Sequence, residues 1–542
     1  MHKFLFAVLA LLLLVAPAFA QDANIVNVVL QQELDSLNPY YTNMWFASTV
    51  QDLLYAPAWW IDDNGSPVPA LVTEIPSVEN GGLSPDGTVV TLKLRQDAMW
   101  SDGEPITSAD FVFTYDMILD DANTPNSRFP WDEKVASVEA PDDYTVVVTY
   151  NAPYAAWLAT LFSVTSVPLP EHVLRPVFEA EGTLDNAEWN RAPSVTSGPF
   201  VFETWEAGSH ISLVANANYF LGTPKVDGFF IRFVPDDATV VASLVSGDSD
   251  VGTFIALGDT PALEEAGVKI ELVNSGYNEG WYLNMDPALG HPALQDVNVR
   301  RALVMAFDRD RINTDLNLGI TYTGSSFWEN TPYQNPDVKA IPFDLQAAAD
   351  MLDAAGWVDS NGDGTRDKDG VELILRYVTN TRQIRQDVQA VVQQDMASIG
   401  VGIGIENYPS DIFFAAYADG GPCSTGEYDI CEYSSTPNFP DPDTSRFTCA
   451  EIPSDEKPEG INDNHYCNPA LDELFVAQGS ETDFDKRVAI FHQIDQFMAD
   501  EIIWVPVWYD PDLWAINGSI TNTLVSGADP LWNAVNWEKA SS

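Results

Sequence analysis

The chain has 542 residues, of which 46% are hydrophobic, so it is too long for one ordinary core and too apolar for general disorder. Its 80 acidic and 25 basic residues give a formal net charge of −55, which excludes a nucleic-acid-binding surface and attraction to anionic membranes. We therefore expect at least two lobes. The acidic excess is either a solvated surface, suited to salty surroundings, or a field that attracts cationic ligands.

The first twenty residues predict a signal peptide. Lys3 precedes an unbroken apolar run over residues 4–15, and the Ala-Phe-Ala at 18–20 is a small-x-small cleavage site that places the mature start at Gln21. The alternative is an N-terminal membrane anchor, but the run is too short to span a bilayer. No cysteine lies near the cleavage site to carry a lipid. We expect an exported, periplasmic or extracellular protein.

Strand and helix patterns alternate along the first half, which is typical of an α/β protein. Apolar and polar residues alternate over 90–95, and residues 144–150 form a second strand pattern. Thr107 and Asp110 match a capping box, and the residues from 111 to 119 carry an apolar face at helical spacing. These patterns predict a helix between two strands.

The second half carries stronger helix patterns and no flexible linker. Glycines follow two of the helices, as expected at helix ends. Lobes that lack a linker between them are expected to join through chain crossovers in a compact hinge. The predicted elements are helices over 300–307, 347–355 (before Gly356) and 388–399 (before Gly400), then a strand over 401–405.

All four cysteines lie in one window, at 423–467. An even number in an exported chain predicts two disulfides. Three pairings are open, and we favour Cys423 with Cys431 and Cys449 with Cys467 because each closes a short loop. A zinc site made by all four thiolates is the alternative, although no C-x-x-C spacing is present.

One acidic loop, residues 359–370, has the spacing of a calcium-binding loop. Oxygen-bearing side chains at alternate positions can wrap a hard cation, but position 12 is Gly370 rather than a bidentate Glu. The loop therefore predicts a structural Ca²⁺ site, with a polar turn as the alternative; no other cofactor is required. The candidate ligands are Asp359, Asn361, Asp363, Thr365 and Asp367.

Catalytic signatures are scarce. The chain has no H-E-x-x-H, G-x-S-x-G or Walker A pattern, and the five histidines that follow the signal peptide are not at metal-ligand spacing. Aromatic residues are abundant and clustered, which would suit a cleft for an amphipathic ligand such as a peptide or a sugar. We predict a non-enzymatic receptor; the alternative is a secreted hydrolase acting on peptide or glycan.

Several motifs occur in one order along the chain. They are Trp-Ser-Asp-Gly at 100–103 with Pro-Ile-Thr at 105–107, Ser-Gly-Pro-Phe at 197–200, Leu-Val-Ser-Gly-Asp at 244–248, Val-Arg-Arg-Ala-Leu at 299–303 with Asp-Arg at 308–309, and the helix at 347–356. In this order the sequence resembles the extracellular solute-binding proteins of family 5, the oligopeptide- and dipeptide-binding proteins of ABC importers.

The resemblance implies an α/β fold of the two-lobed periplasmic-binding-protein (Venus-flytrap, type II) kind with mixed sheets. One lobe would comprise residues 21–270, completed by a C-terminal return at 505–542. The other would comprise 271–504 and include the cysteine region. The crossovers are placed near 271–280 and 500–508, and a ligand would be buried as the lobes close.

The resemblance also implies a ligand site, with one departure. In the peptide-binding relatives an Asp pairs with the N-terminal ammonium of the peptide, and that position here is Asn438, which carries no charge. Either Asp441 or Asp443 takes its place, or the ligand has no free amine. The predicted ligand-binding residues are Tyr40, Trp281, Tyr282, Asn284, Asn438, Asp441, Trp508 and Tyr509.

The expected partners follow from the same resemblance. The ligand would be a peptide or an oligosaccharide, and the membrane partner would be the permease subunits of an ABC transporter, or a chemoreceptor. Nickel is not expected, because no histidine cluster is visible. We expect a monomer.

Overall fold

The computed structural model describes residues 24–42, 44–415, 417, 420–436, 441–442, 444–458 and 460–540; at 274–276, 410 and 411 it describes the backbone alone. The predicted signal peptide lies outside these residues.

Ten strands form one large mixed sheet, in the order β15-β14-β16-β11-β17-β10-β1-β9-β8-β7, and a three-stranded antiparallel sheet has the order β4-β6-β5. The strands are β1 (Ile25–Leu30), β2 (Trp59–Ile61), β3 (Pro67–Pro69), β4 (Val89–Lys93), β5 (Val135–Asp142), β6 (Thr145–Tyr150), β7 (Phe200–Glu206), β8 (His210–Ala215), β9 (Gly228–Phe233), β10 (Val251–Thr253), β11 (Val268–Leu283), β12 (Asp367–Lys368), β13 (Val371–Glu372), β14 (Ile374–Asn380), β15 (Gly402–Tyr408), β16 (Ile430–Ser435), β17 (Val505–Asn517), β18 (Ile520–Thr521) and β19 (Glu538–Lys539).

Helices cover the sheets, as expected when strand and helix patterns alternate. They are α1 (Trp45–Leu54), α2 (Ser108–Leu119), α3 (Trp157–Thr160), α4 (Glu171–Glu181), α5 (Asp237–Ser246), α6 (Thr260–Glu265), α7 (Val297–Met305), α8 (Arg309–Arg311), α9 (Leu345–Ala354), α10 (Gln383–Ala397), α11 (Ser410–Phe413), α12 (Pro422–Thr425), α13 (Pro469–Ser480) and α14 (Phe484–Glu501).

Strands β11 and β17 join the two halves of the large sheet. They pair antiparallel from Val268 to Trp281, while β11 also pairs with β16 on one side and β17 with β10 on the other. Among the described residues the buried apolar clusters divide at the same place: three draw on residues 26–273 and 513–537, and two others on 281–508. We call β11 and β17 the hinge strands. The exact lobe boundaries stay a prediction, because these strands belong to both halves.

Most local predictions are confirmed. The α2 capping box forms, with the Asp110 carboxylate accepting from the Thr107 N–H at 2.9 Å. Gly356 and Gly400 have positive φ just beyond α9 and α10, where glycine relieves the crowding of a side chain. The alternation predicted for β15 is wrong at one position: Ile405 is exposed, because β15 is an edge strand of the sheet.

The four cysteines lie in two close pairs, and these are the pairs favoured from the sequence. The Cα atoms of Cys423 and Cys431 are 6.1 Å apart, and those of Cys449 and Cys467 are 4.5 Å apart. Both separations are within the range that a disulfide spans.

A buried ion pair ties the hinge strand β11 to α10. Arg385 donates from Nε to Glu279 Oε1 at 2.7 Å and from Nη2 to Oε2 at 2.9 Å. Glu432 on β16 is also buried here, and burial and then the Glu279 charge raise its pKa well above the ordinary value, which favours its neutral form. The guanidinium makes both of its carboxylate hydrogen bonds to Glu279, inside the second lobe.

Replacing Arg385 should show how much the buried charge of Glu279 lowers the free energy of unfolding when it has no partner. Arg385→Met leaves Glu279 without its partner in a water-free site, so we expect a loss of about 3–5 kcal/mol in the free energy of unfolding, read from the shift of the urea unfolding transition. The matched control is Arg95→Met, because Arg95 makes the same two-bond contact with Asp97 at the surface, where solvent screens it. Equal shifts for the two variants would contradict the assigned role of the buried pair.

Candidate functional site

Two adjoining cavities lie beside the hinge strands. The first, about 250 Å³, is the hinge cavity; it is lined by residues of α1, β2 and the 158–165 segment, and also by Tyr277 on β11, Thr436 and Asp512 on β17. The second, about 320 Å³, is the outer cavity, lined by residues such as Tyr40, Gln51 and Trp131. Ala159 and Thr165 line both cavities. We call the two adjoining cavities the cleft; only the hinge cavity is lined by residues of the hinge strands.

Two carboxylates of β17 face away from the core. Every residue of β17 is buried except Asp510, Asp512 and Asn517. Residues two apart in a strand project to the same face, so the two carboxylates lie on one side of it. Burial raises the pKa of Asp510 to about 6, although the nearby positive charge of Arg382 acts to lower it.

Aromatic side chains make up much of the hinge cavity wall. Trp45, Trp59 and Tyr277 all line it, and the Trp45 ring meets Phe254 edge-on with 5.1 Å between centroids. Phe254 is 53% exposed and has a φ of +54°, a conformation that is costly for an aromatic residue. Burial, then the Asp512 charge, raise the pKa of Tyr277.

A pair of buried carboxyl groups lies behind the hinge cavity. Asp529, which lines the cavity, accepts from the Ile61 N–H at 2.6 Å, and Asp52 on α1 accepts from the Leu531 N–H at 3.0 Å. Burial raises the pKa of Asp529 to about 7, and burial together with the Asp529 charge raises that of Asp52 well above its ordinary value. At neutral pH this pair carries less than two negative charges.

The predicted ligand-binding residues are divided between the cleft and the core. Tyr40 lines the outer cavity and donates its hydroxyl to the Val167 carbonyl at 2.9 Å. Asp441 accepts from Arg487 Nη2 at 2.5 Å, so its charge already has a cationic partner. Asn438 and Asp443 lie outside the described residues.

The other five predicted residues are fully or almost fully buried in or beside the second-lobe core, and none lines either cavity. Trp281 donates to the Tyr377 hydroxyl at 2.9 Å, and the Tyr282 ring stacks on Tyr433 at 4.5 Å. Asn284 donates to the carbonyls of the 426–428 turn. Trp508 and Tyr509 are buried on β17. Direct contact between these residues and a ligand stays a prediction.

Sequence reasoning missed Asp512, Tyr277, Thr436 and Gln51 as lining residues. One signal was present: Asp510 and Asp512 flank Pro511 inside an otherwise apolar stretch, and charged residues inside a buried strand need a reason. The other three positions have no local pattern that distinguishes them from core or surface residues.

The 359–370 loop is held by its own hydrogen bonds. The Asp359 carboxylate accepts from the backbone of Gly362 at 2.7 Å and of Gly364 at 3.0 Å, and Asp367 accepts from Ser360. Within the described part of the chain, no three acidic, His or Cys side chains converge on one point. Binding of Ca²⁺ would require Asp359 and Asp367 to exchange these bonds for the ion.

None of the helices in the described ranges is both long and apolar enough to cross a bilayer.

Comparison with known proteins gives consistent matches over nearly the whole chain. The chain is 26% identical over 507 residues to the oligopeptide-binding protein AppA of Bacillus subtilis, covering 92% of this chain and 89% of that protein. It is 29% identical over 437 residues to a putative ABC transporter peptide-binding protein of Brucella ovis, covering 79% and 77%.

The fold is also found among solved structures. The ABC transporter substrate-binding protein CtaP of Listeria monocytogenes superposes with a TM-score of 0.78 at 24% identity, over 96% of this chain and all of that one. This confirms the predicted two-lobed, type II periplasmic-binding-protein fold with mixed sheets. The model of the bacterial extracellular solute-binding proteins, family 5 Middle, matches residues 66–450. The resemblance read from the motifs is therefore confirmed, and the chain belongs to the extracellular solute-binding proteins of family 5.

Proposed function

We propose that this protein captures a peptide-like solute in the cleft beside its hinge strands and delivers it to the permease of an ABC transporter, without catalysing a reaction. The observation that carries the proposal is the pair of adjoining cavities, of which one lies beside the hinge strands and both are lined by aromatic and polar side chains. Such a lining suits an amphipathic ligand. The names of the Bacillus and Brucella relatives favour a peptide over an oligosaccharide.

We propose export to an oxidising compartment as the location, with a monomer as the working form. The signal-peptide pattern and the two close cysteine pairs support this, because disulfides persist outside the cytoplasm. Thiol titration of the denatured, unreduced protein reads the oxidation state directly.

The proposed function predicts saturable binding without turnover. Mixtures of two- to five-residue peptides should raise the unfolding temperature in a concentration-dependent way, since a ligand that binds the native state stabilises it by mass action. Mass spectrometry of the same mixtures after incubation should recover every peptide intact. A rise with neutral oligosaccharides alone would overturn the peptide assignment, and cleaved products would favour the hydrolase.

The two predicted lobes also touch at a second place, outside the hinge strands. The Ala155 N–H, beyond β6, donates to the Gly479 carbonyl in α13 at 3.4 Å. Nearby, Gly87 lies against Thr482: a Cβ at residue 87 would come within 2.5 Å of the Thr482 Cγ2 atom. A side chain at residue 87 would require Thr482 to shift or the lobes to separate.

Gly87→Ala should therefore oppose closure and weaken ligand binding. We expect a severalfold rise in the Kd of a peptide retained by the wild type, and a smaller contraction in radius of gyration on saturation. Gly81→Ala is the matched control: its φ of +76° is close to the +69° of Gly87, but its Cβ would meet nothing within 4 Å. A similar loss of affinity in both variants would show that backbone strain, not the lobe contact, is responsible.

We also propose, from the spacing of its oxygen ligands, that the 359–370 loop binds a structural Ca²⁺. Chelation should lower the unfolding temperature of the wild type and leave that of Asp363→Ala unchanged, because the variant lacks the ligand at position 5. Peptide binding should be unaffected in both. Identical unfolding temperatures with calcium and with chelator would remove the site.

A further inference from the structure

A third cavity, of about 160 Å³, lies in the second lobe and is separate from the cleft. It is lined by residues of α7, α8, α14, the 337–341 segment and the first residues of β17, and none of the described residues in its lining also lines the cleft. We call it the Arg309 cavity. Its volume is close to the roughly 150 Å³ of a protein cavity that holds one benzene molecule. A small organic molecule would therefore fit.

The charges that line the Arg309 cavity differ from those of the rest of the chain. The sequence contains 25 basic and 80 acidic residues, whereas this lining has three basic residues, Arg301, Arg309 and Lys339, and two acidic ones, Asp337 and Asp500. Both acidic residues are exposed, so solvent screens their carboxylates. Arg309 is buried, with 4% of its surface exposed. The buried charge at this cavity is therefore positive.

Arg309 has no carboxylate partner among the described residues. Of its five N–H donors, Nη1 donates to the Pro506 carbonyl at 2.9 Å and Nη2 to the Ile341 carbonyl. The other three buried arginines each have a carboxylate within 4 Å. Burial lowers the pKa of Arg309 to about 10, although the charge of Asp310 acts to raise it. Because a buried charge without a counter-ion is costly, an anion in the cavity would stabilise the protein.

Trp504 gives a second, independent observation in the same lining. Its side chain is 6% exposed, and its indole N–H has no hydrogen-bond partner among the described residues. The ring is held edge-on against Tyr282 and Phe327, at centroid distances of 5.0 and 5.2 Å, and lies directly on Gly280, where a Cβ would clash with it. A buried donor without an acceptor costs free energy, and an oxygen of a bound anion would satisfy it.

The rest of the lining indicates which kind of anion fits. Much of it is apolar, formed by Val304, Val338, Ile341, Ile502 and Val505. A carboxylate has two oxygens to place near the guanidinium and the indole N–H, and a short hydrocarbon chain can contact the apolar wall. Phosphate would bring four oxygens and up to two charges against the same wall, with no apolar part to bury. The chemistry favours a small aliphatic carboxylate.

We propose that the Arg309 cavity binds a short-chain aliphatic carboxylate, with Arg309 as its counter-ion and the Trp504 indole N–H as a hydrogen-bond donor. The site goes beyond the proposed function, because it lies apart from the cleft and its ligand is not the transported solute. Arg309 also holds the Pro506 carbonyl at the start of β17, so the bound acid would stabilise the second lobe where this hinge strand begins.

The test uses butyrate as the probe, with the mature protein. Sodium butyrate replaces sodium chloride at constant ionic strength, the Kd is read by saturation-transfer NMR, and the unfolding temperature is followed in parallel. We expect saturable binding and a matching rise in unfolding temperature. Phosphate in place of butyrate should neither displace it nor give the same rise. Absence of butyrate binding, or equal competition by phosphate, overturns the inference and leaves the proposed function standing.

Two tryptophan variants locate the site. Trp504→Phe removes the indole N–H and keeps an aromatic ring, so we expect the Kd of butyrate to rise at least about fivefold, as for the loss of a hydrogen bond to a charged group. Trp328→Phe is the matched control, because Trp328 is buried in the same apolar cluster and its indole N–H also has no described partner, but it does not line the cavity. Equal Kd values in the two variants would contradict the assignment.

Arg309→Met should abolish butyrate binding, because it removes the counter-ion. This variant also loses two hydrogen bonds to main-chain carbonyls, and if it does not fold, the two tryptophan variants decide the result. A peptide retained by the wild type should bind with the same Kd in the presence of saturating butyrate. Displacement of butyrate by that peptide would place butyrate in the cleft and overturn this inference alone.

Discussion

The antiparallel pairing of β11 with β17 is the constraint on which the rest of the structure depends. These strands are the fourth and fifth of a ten-stranded sheet, and the apolar clusters on either side draw on separate parts of the chain. The pairing is irregular between Val273 and Tyr277 and again between Glu279 and Gly280. Irregular pairing bends and twists a strand locally, so the joint between the lobes and the cleft beside it arise from the same feature.

Four arginines of this acidic chain lie inside it. Arg300, Arg309, Arg385 and Arg487 are all buried, and each joins segments that are far apart in sequence. Arg300, for example, donates to the Glu501 carbonyl at the end of α14, and Arg487 holds Asp441. Because a buried charge without a partner is costly, these contacts fix one arrangement of the chain strongly.

The cost of burying a charge also distinguishes carboxylates in the cleft from those on the surface. Carboxylates on the surface of a chain with net charge −55 carry little information, because solvent screens them. Asp512 is half-buried on β17 and lines the hinge cavity together with Trp45, Trp59 and Tyr277. The contact of Gly87 with Thr482 joins the two predicted lobes at a second place, outside the hinge strands.

Several features could be predicted from the sequence because local chemistry specifies them. The α2 capping box, the helix ends at Gly356 and Gly400 and the close cysteine pairs each depend on residues near one another in the chain, and the ordered motifs determined the family. Only the tertiary structure decided which aromatic and acidic residues meet. Trp281 and Tyr282 are buried in the second lobe, whereas Trp45 and Tyr277 line the hinge cavity. The reason is that the hinge cavity is lined by side chains of α1, β11 and β17, which are hundreds of residues apart in the sequence. The direction of each side chain depends on strand register and on the packing of the two lobes.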